Sequence, residues 1–167
     1  FSLSRHLPAV LPVHFFFFRE FAKMLSRIAA SLIGHCDICV DAGANFGWYT
    51  TLMAKGCGPD GEVHAFEPVP QSFHELSKNY ALLGSPGNVF INRIALGDRE
   101  DVIPINVFDD EPTGHASIAD KRNAPSSSYD CRMSTLDSYL EERSVHIVNF
   151  VKVDIEGAEM YIGREHV

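Results

Sequence analysis

Three acids stand at the ends of apolar runs. Asp41 closes the run 37–41 (DICVD) and is followed by Ala42-Gly43-Ala44-Asn45-Phe46-Gly47. Glu67 follows the run 62–66 (EVHAF), 26 positions further on (67 − 41), and precedes Pro68. Asp154 ends the run 147–153 (IVNFVKV) and opens the cluster Asp154-x-Glu156-x-x-Glu159. In an open α/β sheet, a nucleotide-type cofactor binds at the carboxyl end of the first strand, where a turn opens onto a helix. Glycine in that turn lets the backbone approach the ligand closely.

The residue types discriminate between cofactor classes. A dinucleotide brings a pyrophosphate, and its fingerprint is G-x-G-x-x-G with the anion on the helix N-terminus. Here the pattern is G-x-N-x-G, and Asp41 places a carboxylate where it would repel a phosphate. S-adenosylmethionine (SAM) carries an ammonium and a sulfonium and no phosphate, so an acid at the strand tip suits it. Glu67 can accept both ribose hydroxyls in either class. Its alternative is to cap the following helix, with Pro68 in the first turn. Asp154 is placed to orient an acceptor hydroxyl or to act as its base, with Glu156 and Glu159 as the accompanying acceptor-binding acids. Two other readings stand beside it: a divalent metal site on the clustered carboxylates, which is not favoured, and acids favoured in a helix's first turn.

Alternating strands and helices must position these residues. Helical spacing of Phe21, Met24, Leu25, Ile28, Ala29 and Leu32 predicts a helix over 19–33, stopped by Gly34. Strands are expected at 37–41, 62–66, 89–94 and 147–153, and helices at about 48–55 and 70–83. This is the rhythm of βαβ units and a parallel sheet. Residues 102–108 read as a further strand. The polar stretch 109–130 reads as an excursion with an antiparallel pair, and 134–140 as a short capped helix. Residues 1–36 form an N-terminal helical segment and 37–167 a partial cofactor-binding domain.

The chain has 167 residues, 46% hydrophobic and 22% charged, with a net charge of −8. That balance and the lack of a Lys/Arg cluster argue against a nucleic-acid partner. No run reaches the roughly 20 apolar residues of a membrane helix. Leu7 to Phe18 is apolar but short and broken by prolines; a targeting remnant is its minor reading. A cytoplasmic location is favoured. Cys36 and Cys39 make a C-x-x-C without a second pair, so Cys39 reads as a small buried hydrophobe rather than a zinc or redox ligand. His64 reads as core and His115 as a minor candidate base. Trp48 and Tyr49 either wall the cofactor or pack the helix.

The stretch Asp41-Ala42-Gly43-Ala44-Asn45-Phe46-Gly47-Trp48-Tyr49-Thr50 resembles the opening motif of FkbM-type methyltransferases. Further blocks follow in the family's order: Ala65-Phe66-Glu67-Pro68 with Pro70 and Phe73, Ala95-Leu96-Gly97-Asp98, Ser134-Thr135-Leu136-Asp137, and Val151 to Glu159 (VKVDIEGAE). The resemblance covers about 37 to 163. It implies a Rossmann-like class I methyltransferase sheet, α/β and mostly parallel, with strand order 3-2-1-4 present and the C-terminal strands missing. It also implies methyl transfer from SAM, commonly to oxygen, on a small-molecule or glycan acceptor. By the same resemblance, Asp41, Gly43, Asn45 and Gly47 line the methionine side of SAM and Glu67 holds the ribose. Ala95 and Asp98 lie near the adenine, and Asp154 faces the methyl-transfer region. With its outer neighbour missing, strand 147–153 is expected at an open sheet edge, prone to self-association.

Overall fold

The computed structural model describes residues 23–108, 116–117 and 126–155. The chain divides into two units, Phe1–Leu32 and Ile33–Val167. In the first, helix α1 runs through 23–32. It buries Ser26 and Ala29, while Met24, Leu25, Ile28 and Leu32 are exposed. The buried stripe is thus narrower than the apolar spacing predicts, and made of small side chains.

The second unit is built on four parallel strands: β1 (Ile38–Ala42), β2 (Glu62–Phe66), β3 (Val89–Asn92) and β8 (Phe150–Val153), in the order β3-β2-β1-β8. Helix α2 (Trp48–Cys57) connects β1 to β2, and α3 (Pro70–Leu82) connects β2 to β3. This is the doubly wound, Rossmann-like arrangement. β1 and β2 are central, and Cys39, Val40, Asp41, Ala42, Val63, His64 and Ala65 are fully buried. Short, near-continuous apolar strands of this kind suit a parallel sheet covered on both faces. In register, Asp41 lies opposite Ala65 on one side and Lys152 on the other.

β8 has β1 as its single strand neighbour among the described residues. It begins at Phe150, not at Ile147 as the apolar run suggests. Asn149 explains the start: its N–H donates to the Ile38 carbonyl (2.8 Å) and its Oδ1 accepts from the Ile38 N–H (2.9 Å). The side chain does the work of a ladder carbonyl, and Ile147 before it is exposed.

A second sheet, in the order β4-β7-β5-β6, fills the middle of the chain. It comprises β4 (Ala95–Leu96), β5 (Asp101–Phe108), β6 (Ala116–Ser117) and β7 (Ser126–Ser134). The antiparallel pair β5–β7 runs from Asp101 opposite Met133 to Phe108 opposite Ser126. Pro104 lies opposite Asp130 of β7, and among the described residues β6 pairs with Asn106 and Val107 of β5. Helix α4 (Leu136–Glu142) starts on Thr135, whose Oγ1 accepts from the Ser138 N–H at 3.0 Å, a regular N-cap. His115, Glu156, Glu159 and the apolar run 7–18 lie outside the described residues.

His64 is wholly buried on β2. Its Nδ1 lies 3.1 Å from the Tyr139 hydroxyl, which accepts from Asn92 Nδ2 at 3.1 Å. The hydroxyl has its one proton free to donate to Nδ1, an arrangement that puts the ring proton on Nε2. Nε2 faces Glu62 Oε2 at 3.2 Å, out of line for a hydrogen bond. Phe90 stacks on the ring at 5.0 Å, and Arg143 lies over the Phe90 and Tyr139 rings. Burial lowers the His64 pKa below its ordinary value; Glu62 opposes this and Arg143 adds to it. The unfolded chain then takes up a proton that the folded one resists. Stability is expected to be full above about pH 6.5 and to fall as pH drops below it. Thermal midpoints of the wild type and His64→Gln, compared from about pH 7.5 down to about pH 5, should converge as pH falls. Parallel curves would remove His64 as the cause.

Candidate functional site

The turn after β1 owes its shape to three residues with left-handed backbone: Gly43 (φ 75°), Asn45 (φ 51°) and Gly47 (φ 90°). Asparagine is among the few non-glycine residues that tolerate this region. At Gly43 the need is also steric: a Cβ there would sit 2.0 Å from the Asp154 carbonyl oxygen. The β1 turn and the end of β8 therefore touch backbone to backbone. At Gly47 a Cβ would meet Leu76 Cδ1 at 2.6 Å, so α3 packs directly beneath the start of α2.

Asp41 points inward from β1 and is fully buried. Its Oδ2 accepts from Thr50 Oγ1 at 2.7 Å, which ties it to the first turn of α2. Its Oδ1 has no aligned hydrogen-bond partner; the ammonium of Lys152 lies 3.3 Å away. A buried carboxylate in that condition is costly unless a cation compensates it. Lys152 Nζ also donates to the Gly43 carbonyl at 2.7 Å and the Ala42 carbonyl at 3.4 Å. It stands 3.8 Å from Asp154 Oδ2 and 5.4 Å from the centre of the Tyr49 ring. Tyr49 thus faces the site, whereas Trp48 is largely exposed.

Glu67 is buried at the end of β2. Its Oε2 accepts from the Asn45 N–H at 2.8 Å and its Oε1 from the Val69 N–H at 3.0 Å. One carboxylate thus fastens the glycine turn and the entry to α3 together. Glu67 is not a helix cap: α3 begins at Pro70 with Val69 as its N-cap and no side-chain cap, and Pro68 lies before it. The carboxylate binds the turn and the approach to α3 and keeps further lone pairs on both oxygens. Burial pushes the Glu67 carboxyl up from its ordinary range. The Val69 and Asn45 N–H groups and Lys152 pull it down, and Asp41 adds to the rise.

Ala95 is buried beside Val69, Cys131 and Met133, so β4 approaches the Glu67 side of the site. Asp98 lies on the surface beyond β4 and pairs with Arg99 at 3.3 Å. The Asp154 side chain is 71% exposed at the end of β8. The structure therefore brings Asp41, Gly43, Asn45, Gly47, Glu67 and Asp154 to one end of the parallel sheet. No group of three or more His, Cys, Asp or Glu residues able to hold a metal is found among the described residues. The C-x-x-C forms no pair: Cys36 is exposed, and burial pushes the Cys39 thiol up to about 12. Lys152 is the member of the site that sequence reasoning missed. The signal was its position two residues before Asp154, in a strand that pairs in register with β1.

Four amides of the turn are already committed. Gly43 and Ala44 both donate to the Phe66 carbonyl (3.0 and 2.9 Å), Gly47 donates to Ala44 (2.8 Å), and Asn45 donates to Glu67. The β1 tip itself is made of the Asp41 carboxylate and the Gly43 carbonyl, with the Lys152 ammonium set against both.

Residues 41–162 match the description "Methyltransferase FkbM domain". Among curated proteins, the chain is 25% identical over 150 residues to Methyltransferase sdnD of Sordaria araneosa, covering 74% of this chain and 58% of that protein. It is 29% identical over 126 residues to the hexuronic acid methyltransferase AglP of Haloferax volcanii, covering 75% and 48%. Among solved structures, methyltransferase FkbM from Methylobacillus flagellatus KT aligns with a TM-score of 0.49 at 16% identity, over 75% of this chain and 28% of that one. The chain spans about half the length of the curated relatives it matches. The matched residues begin at the strand-tip acid and contain the glycine turn, Glu67, β4 and the Lys152–Asp154 strand end, and the chain belongs to the FkbM methyltransferase family.

Proposed function

We propose that the protein transfers a methyl group from SAM to a hydroxyl of a small-molecule or sugar acceptor. The observation that carries this is the lining of the β1 tip. Asp41 is a buried acid with an unaligned oxygen, the Gly43 carbonyl lies beside it with Lys152 as their shared cation, and the turn's amides at 43, 44, 45 and 47 are used internally. Acceptors that already hold one ammonium suit a cationic ligand end. The sugar-type acceptor draws support from a relative named as a hexuronic acid methyltransferase.

The residues divide the task. Asp41, Gly43, Asn45 and Gly47 would hold the amino-acid end of SAM, Glu67 the ribose hydroxyls, and Ala95 with Asp98 the adenine side. When bound, SAM supplies an electrophilic methyl group. Asp154, exposed at the strand tip, orients the acceptor hydroxyl and takes its proton, with Glu156 and Glu159 on the acceptor. In-line methyl transfer depends strongly on positioning, so the rigid backbone contact between the β1 turn and Asp154 is the protein's main contribution.

Calorimetric titration with SAM, S-adenosylhomocysteine and NAD tests the reading. Binding of the two adenosyl-sulfur ligands and not of NAD is expected. NAD binding without SAM binding would make the protein a dinucleotide enzyme. Binding of none by the folded protein would favour an interaction domain that has kept the motifs. No helix among the described residues is long and apolar enough to cross a membrane, and we infer a cytoplasmic place of action for a SAM-consuming enzyme.

A further inference from the structure

Lys152 lies inside the site, and the roles set out above leave it unused. Its ammonium has three N–H groups, and three oxygens of the β1 tip surround it: the Gly43 carbonyl at 2.7 Å, Asp41 Oδ1 at 3.3 Å and the Ala42 carbonyl at 3.4 Å. Two of these three belong to residues assigned to the ammonium of SAM's amino-acid end. One small cluster of acceptors thus faces two ammonium groups.

Resting on the SAM reading, we propose that Lys152 is a positioning residue that shares Asp41 and the Gly43 carbonyl with the cofactor's ammonium and yields them by turning to Asp154. Three features carry this. The Asp41 contact is close but out of line, so Oδ1 retains capacity for a better-aligned donor. An alternative anion is at hand, because Asp154 Oδ2 lies 3.8 Å from the same nitrogen on an exposed side chain. Lysine's four-carbon stem is flexible, and its ammonium is a point charge without a fixed fork, so it can exchange partners with rotation of its outer bonds. The Tyr49 ring, 5.4 Å from the ammonium, keeps an aromatic face beside the cation. In this arrangement Asp41 never lacks a cation, and cofactor loading brings a lysine onto Asp154 beside the acceptor.

The test compares two ligands. S-adenosylhomocysteine carries the amino-acid end, and 5′-methylthioadenosine lacks it. Both are titrated calorimetrically into the wild-type protein, Lys152→Gln and Lys152→Met. Removing the competing ammonium should tighten S-adenosylhomocysteine relative to methylthioadenosine by about tenfold, the size of one charge-assisted hydrogen bond regained. A permanent structural ion pair predicts the reverse: both ligands weaken together, or S-adenosylhomocysteine weakens selectively, and either result would overturn the proposal and leave the SAM reading standing. If wild-type protein binds neither ligand, the SAM reading falls and this proposal with it. A second measurement needs no variant. Amine acylation of Lys152, followed by mass spectrometry, should speed up in wild-type protein saturated with S-adenosylhomocysteine, and protection there would count against displacement. Methylthioadenosine serves as the control and should leave the rate unchanged.

Discussion

Gly43→Ala is expected to be among the most damaging single substitutions in this chain. The new Cβ would lie 2.0 Å from the Asp154 carbonyl oxygen and 2.9 Å from its carbon, both backbone atoms that no side-chain rotation can move. The residue also sits at φ 75°, where an L side chain is strained. The left-handed penalty is about 1–2 kcal/mol, and forcing two packed strand ends apart adds about 1–3 kcal/mol. A total of roughly 3 kcal/mol or more is a large part of a domain's usual stability, and for a chain of this size it lowers the thermal midpoint by about 10 °C. Two other glycines separate the terms. Gly84 has φ 85° with nothing within 4 Å, so its alanine variant carries the conformational penalty alone. At Gly47 the obstacle is Leu76 Cδ1, the end of a flexible side chain. Thermal denaturation should rank the losses Gly43→Ala, then Gly47→Ala, then Gly84→Ala. A Gly43→Ala protein no less stable than Gly84→Ala would show that the backbone contact between the β1 turn and β8 is not tight.

The parallel sheet was legible because local pattern and global fold agree there. EVHAF is both an apolar run and a strand with matching bounds, and the strand 37–41 shifts by only one residue, to Ile38–Ala42. The glycine turn was legible for the same reason: only particular residue types accept the left-handed backbone at 43, 45 and 47. The second sheet was harder to see. β7 begins with Ser126-Ser127-Ser128, which has no apolar periodicity, and it is a strand because it lies opposite β5. Its alternation appears only at the end, where Cys131 and Met133 are buried and Arg132 faces out. The two residues of β4 are too few to show a period at all.

The site divides along the same line. Asp41, Gly43 and Asn45 lie within one local motif, and each could be read from its neighbours. Lys152 could not, because its role depends on β1 and β8 pairing in register across more than 100 positions, with Asp41 opposite Lys152. From the sequence alone it was one lysine in an apolar edge strand. Glu67 was weighed between ribose binding and a helix cap, and the structure gives it a further task, fastening the glycine turn. Its bond to Val69 is local, but its bond to Asn45 arises only when β1 and β2 lie side by side.

Glu67→Ala and Asp154→Ala are expected to fail in opposite ways, and the contrast separates cofactor holding from chemistry. Glu67 is buried, and both its oxygens already accept backbone N–H groups. Its removal leaves the Asn45 and Val69 donors unpaired, loosens the turn, and removes the acceptor proposed for the ribose hydroxyls. Two charge-assisted hydrogen bonds correspond to about 100-fold in SAM affinity. Asp154 is 71% exposed, and its nearest cation, Lys152, is 3.8 Å away. Its removal leaves no buried donor unpaired and should change SAM affinity by less than about fivefold, within the range of an exposed ion pair. Turnover is another matter. A base acting on the acceptor hydroxyl typically contributes about 10²- to 10⁴-fold, and the ribose is unchanged by the reaction whereas the hydroxyl is not. Calorimetry with SAM gives the first quantity. Transfer of labelled methyl to a panel of hydroxyl acceptors, headed by uronic-acid glycosides, gives the second. Loss through KM for SAM in one variant and through kcat in the other is the expected split. Equal loss of SAM affinity in both would dissolve the division of roles and place Asp154 among the groups that hold the cofactor.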